Sequence, residues 1–543
     1  MRVFLLSTLL IFSRALFAQG VADNFQVINS AYDEQNPVLS PDGQTLYFTV
    51  GNHPSNIGGK KDPGDIWFSR KTGTAWSAPE HGGPSLNDKA YNAVAGFSSD
   101  GQQLMLHGHY SGNGSIAKTQ GISVATNQGG SWSKPENITI PYFLNKSGTP
   151  CGSLSSDNTV FVFSADSYGT YGVDDIYVSV KHEGKWSEPR NLGGAINTQF
   201  QELSPSLSED KRTLYFSSNG KKGNGSFDVF AATRVDDSWT NWSAPENLGT
   251  EINSEGRELY YRYYANRGYA LYTTTKSSDG YGDLRVYTPQ EPLPAHDTVI
   301  YASLDADKGG DETPGRQDQD VTDVSAPMPA AEAAPEENKE ENKVVRVYGK
   351  ITNARTGQTI PARISFAGAG IEDRAVLSGE GGYEVGVPTS QYAVRIEATG
   401  YISTLEKLDI NAFEMRDLEM NFRLQPVEVG TTVNLKNVLF AQAKTEILPE
   451  SFPELDLVVS FLKENPKVRI ELMGHTDGRG VHVDNVRLSQ QRVNKVKEYL
   501  VSKGIDGKRV SGKGFGGSKP VASNDTEESR RMNRRVEFVI RKF

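Results

Sequence analysis

At 543 residues the chain is too long for one hydrophobic core, which points to three or four domains. A single cysteine, Cys151, excludes an internal disulfide framework, and 54 glycines with 23 tyrosines and 23 phenylalanines fit many short strands better than helical bundles. The formal charge of −10 is uneven: residues 305–343 carry 12 acids against 4 bases, whereas residues 430–543 carry 21 bases against 14 acids, so the C-terminal domain is drawn to an anionic polymer or surface.

Residues 1–18 combine a basic end at Arg2, an apolar run from Val3 to Phe12 and small residues up to Ala18. The run is too short to span a bilayer, which takes about 20 apolar residues, and it reads as a cleaved secretory signal peptide. No later segment has the composition of a transmembrane helix, and Cys151 lies too far from the signal to accept a lipid. The expected product is exported and held in place by binding.

Residues 25–289 hold a repeat. Trp76-Ser77-Ala78-Pro79-Glu80, Trp132-Ser133-Lys134-Pro135-Glu136, Trp186-Ser187-Glu188-Pro189-Arg190 and Trp242-Ser243-Ala244-Pro245-Glu246 recur at intervals of 56, 54 and 56 residues. A strand signal precedes each, opening at Asp65, Gly121, Asp175 or Asp228, and a fifth at Asp283 has no tryptophan stretch after it. Four short strands per unit at a fixed period are the signature of propeller blades, because one sheet cannot bury both of its faces and neighbours must cover them. Five units are expected, with Phe25-Gln26-Val27-Ile28-Asn29 supplying a closing strand. The repeated tryptophans fit packing between blades, and the aspartates fit turn caps better than calcium ligands. The motifs resemble the WD40-like PD40 repeat of the TolB family, although Arg262-Tyr263-Tyr264-Ala265-Asn266 stands where the fifth Ser-Pro-Asp-Gly turn is expected.

Residues 290–343 are Pro/Ala/Glu-rich and read as an acidic disordered linker. Within them residues 305–311 are only a faint likeness of a calcium loop, without its closing glutamate. Residues 344–427 alternate as strands at Val345, Val347 and Ile351, then at Tyr392, Val394 and Ile396. With Gly381-Gly382-Tyr383 and Gly400-Tyr401 they resemble the carboxypeptidase regulatory-like domain, a transthyretin-like β-sandwich. It carries no zinc ligands or nucleophile and is expected to be a spacer or docking module.

Residues 430–543 predict a β-α-β-α-β-β domain, so the whole chain is expected to be multidomain and mainly β. A first strand is expected over 434–441. Leu455, Val458, Val459 and Leu462 form one helical stripe, and Val468, Ile470 and Leu472 alternate on a strand that delivers Gly474-His475-Thr476-Asp477 to a loop. A second helix is expected from an N-cap at Asp484 or Asn485, with Asn485, Ser489 and Arg492 on a stripe apart from the apolar Val493, Val496 and Leu500. Two more strands are expected near 509–515 and 535–540, with Gly512-Lys513-Gly514 as a turn after a strand rather than a phosphate loop. A carboxylate at Asp477 and a guanidinium at Arg492 suit a zwitterion, since the guanidinium grips a carboxylate through two parallel bonds. Spacing alone leaves open whether the two pair with each other or share a ligand.

Leu439-Phe440, Leu448-Pro449, Gly474-His475-Thr476-Asp477, Asn485, Leu488-Ser489 with Arg492, Gly512-Lys513-Gly514-Phe515-Gly516 with Pro520, and Asn533-Arg534-Arg535-Val536 together resemble the OmpA C-terminal-like domain of the Pal and MotB families. The resemblance implies a non-enzymatic peptidoglycan-binding protein, with Asp477 and Arg492 on the diaminopimelate head group of the stem peptide. Thr476, Asn485, Asn533, Arg534 and Arg535 complete the pocket by the same resemblance. Ala441-Gln442-Ala443 departs from the family pattern at the pocket rim. His475 has no accompanying nucleophile or second base and reads as a loop hydrogen bond. The domain order also resembles that of a peptidoglycan-linked component of the type IX secretion system, though the helical repeats and lipid cysteine of that component are missing from this sequence. The expected setting is the periplasm, associated with the outer membrane of a Gram-negative envelope, with a protein partner on the propeller. No cofactor, metal or nucleic acid is called for. The rival reading is an envelope enzyme or saccharide binder centred on the propeller, where His53, His81, His107, His109 and His182 are the available histidines and His107 and His109 are expected to alternate on one strand.

Overall fold

The computed structural model describes residues 25–289 and 344–542, with short breaks at 112–114, 148–149, 279, 369–372, 380–381, 411–416, 437 and 441–443. The expected signal peptide, the acidic linker with residues 305–311, and Ala441-Gln442-Ala443 fall outside the described residues. Strands dominate, and among the described residues the α-helices number three, all in the C-terminal domain. No helix among the described residues is long and apolar enough to cross a membrane.

Residues 33–287 form five antiparallel sheets in sequence order. Their first strands are Asp33–Leu39, Val94–Phe97, Cys151–Leu154, Glu202–Leu207 and Glu258–Tyr264. Each packs against the first strand of the next sheet, and the fifth packs against the first, so the sheets close a ring. The link is made by a repeated asparagine. Asn87, Asn197 and Asn253 each bond both the N–H and the C=O of one residue in the third strand of the preceding sheet, at Ile66, Ile176 and Val229, with distances of 2.7–3.1 Å.

The seam of the ring corrects one expectation. Phe25–Asn29 is a helical turn, not a strand, with the N–H groups of Ile28 and Asn29 bonded to Phe25 O. Two of its apolar residues, Phe25 and Ile28, are buried with Leu271 and Leu284 of the fifth sheet, while Val27 is exposed. Asn29 makes the same paired bonds to Leu284, at 2.9 and 3.1 Å, that the other three asparagines make between sheets. Closure therefore needs no shared strand, and the fifth sheet keeps only three.

The tryptophans share buried clusters with the preceding sheet. Trp132 donates to Tyr47 Oη at 3.0 Å, Trp186 lies with Met105 and Ile122, Trp242 with Ile176 and Val178, and Trp76 with Leu271 and Leu284. The divergent fifth turn is a 3-10 turn, Ala265–Arg267, closed by Gly268 at φ +69°. Just before it Arg262 donates to Asn36 Oδ1, Ala95 O and Gly152 O, tying four sheets together at the hub.

In residues 344–424 three sheets, of three, two and four strands, enclose one apolar core containing Val345, Val347, Ile364, Phe366, Val394 and Ile396. Glu419 in this unit accepts from Ser226 Oγ of the ring at 2.6 Å, while its carbonyl accepts from Asn219 Nδ2 at 2.6 Å.

The C-terminal domain has the sheet order Thr432–Asn434, Val536–Lys542, Arg469–His475, Val510–Gly516. Helices α1 (Phe452–Glu464) and α2 (His482–Ser502) share its apolar core, and a short α3 (Glu527–Asn533) precedes the last strand. The first strand is Thr432–Asn434 rather than 434–441, where Phe440 makes only an isolated bridge to Ile447. The helix α3 was absent from the expected order. It starts at a threonine cap, Thr526 Oγ1 accepting from Ser529 N at 3.1 Å.

Candidate functional site

Strand Arg469–His475 lies between a parallel neighbour, Val510–Gly516, and an antiparallel one, Val536–Lys542, and its C-terminal end feeds the Thr476-Asp477 loop. Helix α2 crosses Val510–Gly516 at close range, which explains the glycines there. A Cβ on Gly514 would stand 2.4 Å from Gln490 N, and one on Gly512 would stand 2.2 Å from the Val493 side chain. Gly512-Lys513-Gly514 is thus part of a strand and not a turn beyond one.

Helix α2 begins at His482, earlier than the expected cap, and its flanking Val481 offers no side-chain cap. Asn485 instead folds back onto the loop, donating to Arg479 O at 2.7 Å and to Asp477 O at 3.5 Å. The expected separate polar stripe is also corrected. Ser489 is fully buried and its Oγ accepts from Gly516 N at 2.9 Å, while Arg492 is 7% exposed. Both sit in the buried face with Val493 and Val496.

Asp477 pairs with Arg534, not with Arg492. Arg534 Nη1 lies 2.9 Å from Asp477 Oδ2, and Arg479 N donates to Oδ1 at 3.1 Å. Arg534 reaches onward to Glu527 at 2.6 Å. Arg492 is set from the other side: its guanidinium lies over the Phe440 ring at 4.9 Å and its Nε donates to Lys444 O at 3.0 Å. Burial lowers the Arg492 pKa, the like charge of Arg534 lowers it further, and Asp477 opposes both. Arg492, Arg534 and Asp477 therefore share one electrostatic neighbourhood. Asp477 and Arg534 are partly exposed, at 17% and 34% of their side chains. Such a pair adds little stability by itself, about 0–1 kcal/mol, and an incoming charge can join it cheaply.

Thr476 is buried and its Oγ1 donates to Asp477 O at 2.9 Å, stiffening the loop. Asn533 and Arg535 each have protein partners of their own, and Asn533 Nδ2 also donates to Asn524 Oδ1 at 3.2 Å. Asn533 is fully buried, accepting from Val521 N at 2.7 Å and Ala522 N at 3.1 Å and donating to Ala522 O at 2.8 Å, so it shapes the 521–524 loop. Arg535 pairs with Glu537 at 3.0 Å and covers the Tyr168 ring of the third sheet at 5.4 Å. His475 corrects another expectation: its ring stacks on Phe515 at 5.4 Å and neither nitrogen has a hydrogen-bond partner, although Nε2 lies 3.4 Å from Glu537 Oε2. Two residues not anticipated, Glu527 and Asn524, belong to the site. Asn524 Oδ1 accepts from Gly478 N at 2.7 Å.

His53 and His81 both meet the Trp67 ring, at 4.5 and 5.0 Å, while His107 ends a strand of the second sheet. His81 Nε2 bonds Asp65 at 2.8 Å, and buried His107 bonds Gly152 O at 3.2 Å, with desolvation bringing its pKa down to about 3. His109 lies beyond the strand that His107 ends and bonds Ile138 O. Asp175 accepts from Tyr171 N and Asn191 Nδ2, and Asp65 accepts from Ile57 N, as turn caps do.

Residues 439–534 match the family model described as "OmpA family". A protein of Escherichia coli described as "Probable lipoprotein YiaD" is 34% identical over 136 residues, covering 24% of this chain and 62% of its own length. The peptidoglycan-binding protein ArfA of Mycobacterium tuberculosis is 37% identical over 103 residues, covering 19% of this chain and 32% of its own length. Among solved structures, the peptidoglycan-associated lipoprotein from Burkholderia pseudomallei is 27% identical over 20% of this chain and 89% of its own, with a TM-score of 0.19. The chain spans less than two thirds of the length of these curated relatives. Its C-terminal domain is OmpA-like.

Proposed function

We propose that the C-terminal domain binds peptidoglycan without cleaving it, by gripping the diaminopimelate head group of a stem peptide. Asp477 accepts from the ammonium, and Arg492 takes the carboxylate. Arg534, paired to Asp477, supplies a second guanidinium, while Thr476 and Asn485 hold the loop. The observation that carries this reading is the arrangement of Asp477 and Arg492. They are oriented by different partners, Arg534 on one side and Phe440 with Lys444 O on the other, within one electrostatic neighbourhood. A zwitterion complements such a site. The match to the OmpA family and the likeness to a protein named for peptidoglycan binding support the same reading.

On this reading the protein is an exported, wall-anchored scaffold of a Gram-negative envelope, periplasmic and associated with the outer membrane. Residues 1–18 are its signal peptide. The ring, residues 25–289, is a five-bladed propeller of the PD40 kind that docks a protein partner, in an assembly such as the type IX secretion system. Residues 290–343 are a linker, residues 344–427 a carboxypeptidase regulatory-like sandwich, and residues 430–543 the anchor. The test uses the full-length protein: it should co-sediment with diaminopimelate-containing sacculi, and Asp477→Ala and Arg492→Ala should each abolish this while leaving the circular dichroism spectrum intact. Undiminished sedimentation of both variants would refute the site.

A further inference from the structure

The repeated Trp-Ser-x-Pro stretch varies at its third residue. Ala78, Lys134 and Ala244 occupy that position in three units, and Glu188 occupies it in the third. Two alanines at this position show that the repeat folds without a carboxylate there. Glu188 is nonetheless tightly engaged. Its Oε2 accepts from Ser523 N at 2.7 Å and its Oε1 from Ser523 Oγ at 2.5 Å, with Ser529 Oγ at 3.5 Å. A carboxylate held by a backbone N–H and a hydroxyl makes charge-assisted bonds, stronger than neutral ones.

Ser523 precedes Asn524, whose side chain accepts from Gly478 N at 2.7 Å. Gly478 follows Asp477 directly. A short bonded path thus runs from the ring, through Ser523 and Asn524, to the loop that carries the site's carboxylate. The docking around it is specific: Tyr168 Oη donates to Glu537 Oε1 at 2.6 Å, Arg535 covers the Tyr168 ring, and a Cβ on Gly169 would meet Met532 Sδ at 3.1 Å.

We infer that Glu188 is a positioning residue for the site at Asp477: the third sheet of the ring braces the 523–524 loop, and the brace fixes the Asp477 loop in its ligand-ready geometry. This inference rests on the reading of Asp477 and Arg492 as the wall-peptide site. It makes that site a joint property of the ring and the C-terminal domain, so a ligand pays less ordering entropy when the ring is docked.

The test compares full-length wild type, Glu188→Ala, Glu188→Gln and Ser523→Ala. Affinity for a diaminopimelate-containing tripeptide is measured by calorimetry, and amide exchange by mass spectrometry over the segment 476–485. Glu188→Ala should weaken binding about fivefold, within the usual range of coupling energies. It should also speed exchange in that segment while leaving the ring's own exchange protection unchanged, since alanine stands there in two sister repeats. Glu188→Gln, which keeps one acceptor oxygen, should recover part of the affinity. Glu188→Ala combined with Ser523→Ala should lose no more than the larger single loss. Wild-type binding that Glu188→Ala leaves unchanged, with unchanged exchange, overturns the inference. A wild type that does not bind, while Glu188→Ala still speeds exchange at 476–485, overturns the site reading and leaves the brace standing.

Discussion

The ring and the C-terminal domain use carboxylates in opposite ways. In the ring a repeated set of them are buried acceptors for local hydroxyl and amide groups. Glu34, Glu202 and Glu258 sit in the first strands, almost fully buried, and accept from Ser30, Thr198 and Ser254 four residues earlier. Burial raises the pKa of Glu34 and of Asp175 to about 7, and that of Asp62 and Asp228 to about 6. In the C-terminal domain the carboxylates face guanidinia. Glu527 is held low by its bonds to Arg534 and Arg530. Burial would raise Glu537, but His475, Arg535 and Tyr168 outweigh it and hold the group at about 2. The contrast teaches that one residue type titrates upward where its buried partners are neutral and repeated, and downward where its partners are charged and unrepeated.

The largest expected effect breaks the ring alone. Asn197→Ala strips Ile176 of partners for both its N–H and its C=O in a buried link, where each unmet group costs about 1–3 kcal/mol. The ring should lose about 2–4 kcal/mol, read as a lower calorimetric transition. A substantially unchanged transition would show that the asparagine links do not hold the sheets together.

A smaller effect belongs to the other region. Gly514→Ala forces a Cβ against the backbone of α2 and should destabilise the C-terminal domain by about 1–3 kcal/mol, as overpacking does. Denaturant unfolding followed at Tyr499, on α2, would register it, and an unperturbed curve would mean that α2 shifts without cost.

A third effect is one of pH. The raised carboxyl groups of the ring bind protons in the folded state that the unfolded chain releases. Their contribution is complete below the unfolded values near 4 and is lost as pH rises through about 6–7. His107 opposes this, because its depressed pKa leaves it neutral where the unfolded chain is protonated. The carboxylates outnumber it, so the ring should melt higher at pH 5 than at pH 7.5, and His107→Gln should steepen the trend. Glu537 has the other sign: its contribution stands above about 4.5 and fades toward about 2, outside that window. A ring that melts lower at pH 5 would contradict the assignment of these buried groups.

Much of this was legible in the sequence, for physical reasons that differ by region. The tryptophan period exposed the repeated sheets because each tryptophan packs, buried or half-buried, against the preceding sheet. The linking asparagines went unread because Asn29, Asn87, Asn197 and Asn253 look like ordinary loop residues until their strand partners are known. A Ser/Thr-x-x-x-Glu pattern beside three of them was the available signal. In the C-terminal domain the loop bearing Asp477 was legible, but its ion-pair partner was not, since Arg534 lies 57 residues downstream and local spacing says nothing of it. Adjacent Arg534 and Arg535 were placed in one pocket, yet one meets Asp477 and the other meets Tyr168. Helix α3 is short and highly charged, and its threonine cap was its main mark.

The seam at Asn29 sets a limit on trimming of the N-terminal end. Removal of everything through Asn29 would leave Leu284 without both of its bonded partners and unplug Phe25 and Ile28 from the cluster beneath. A cut at Ala18 spares all three residues, whereas one only a dozen positions further on would strip the seam of this link and leave it to the bonds of Asp33, Glu34 and Leu39 with the fifth sheet.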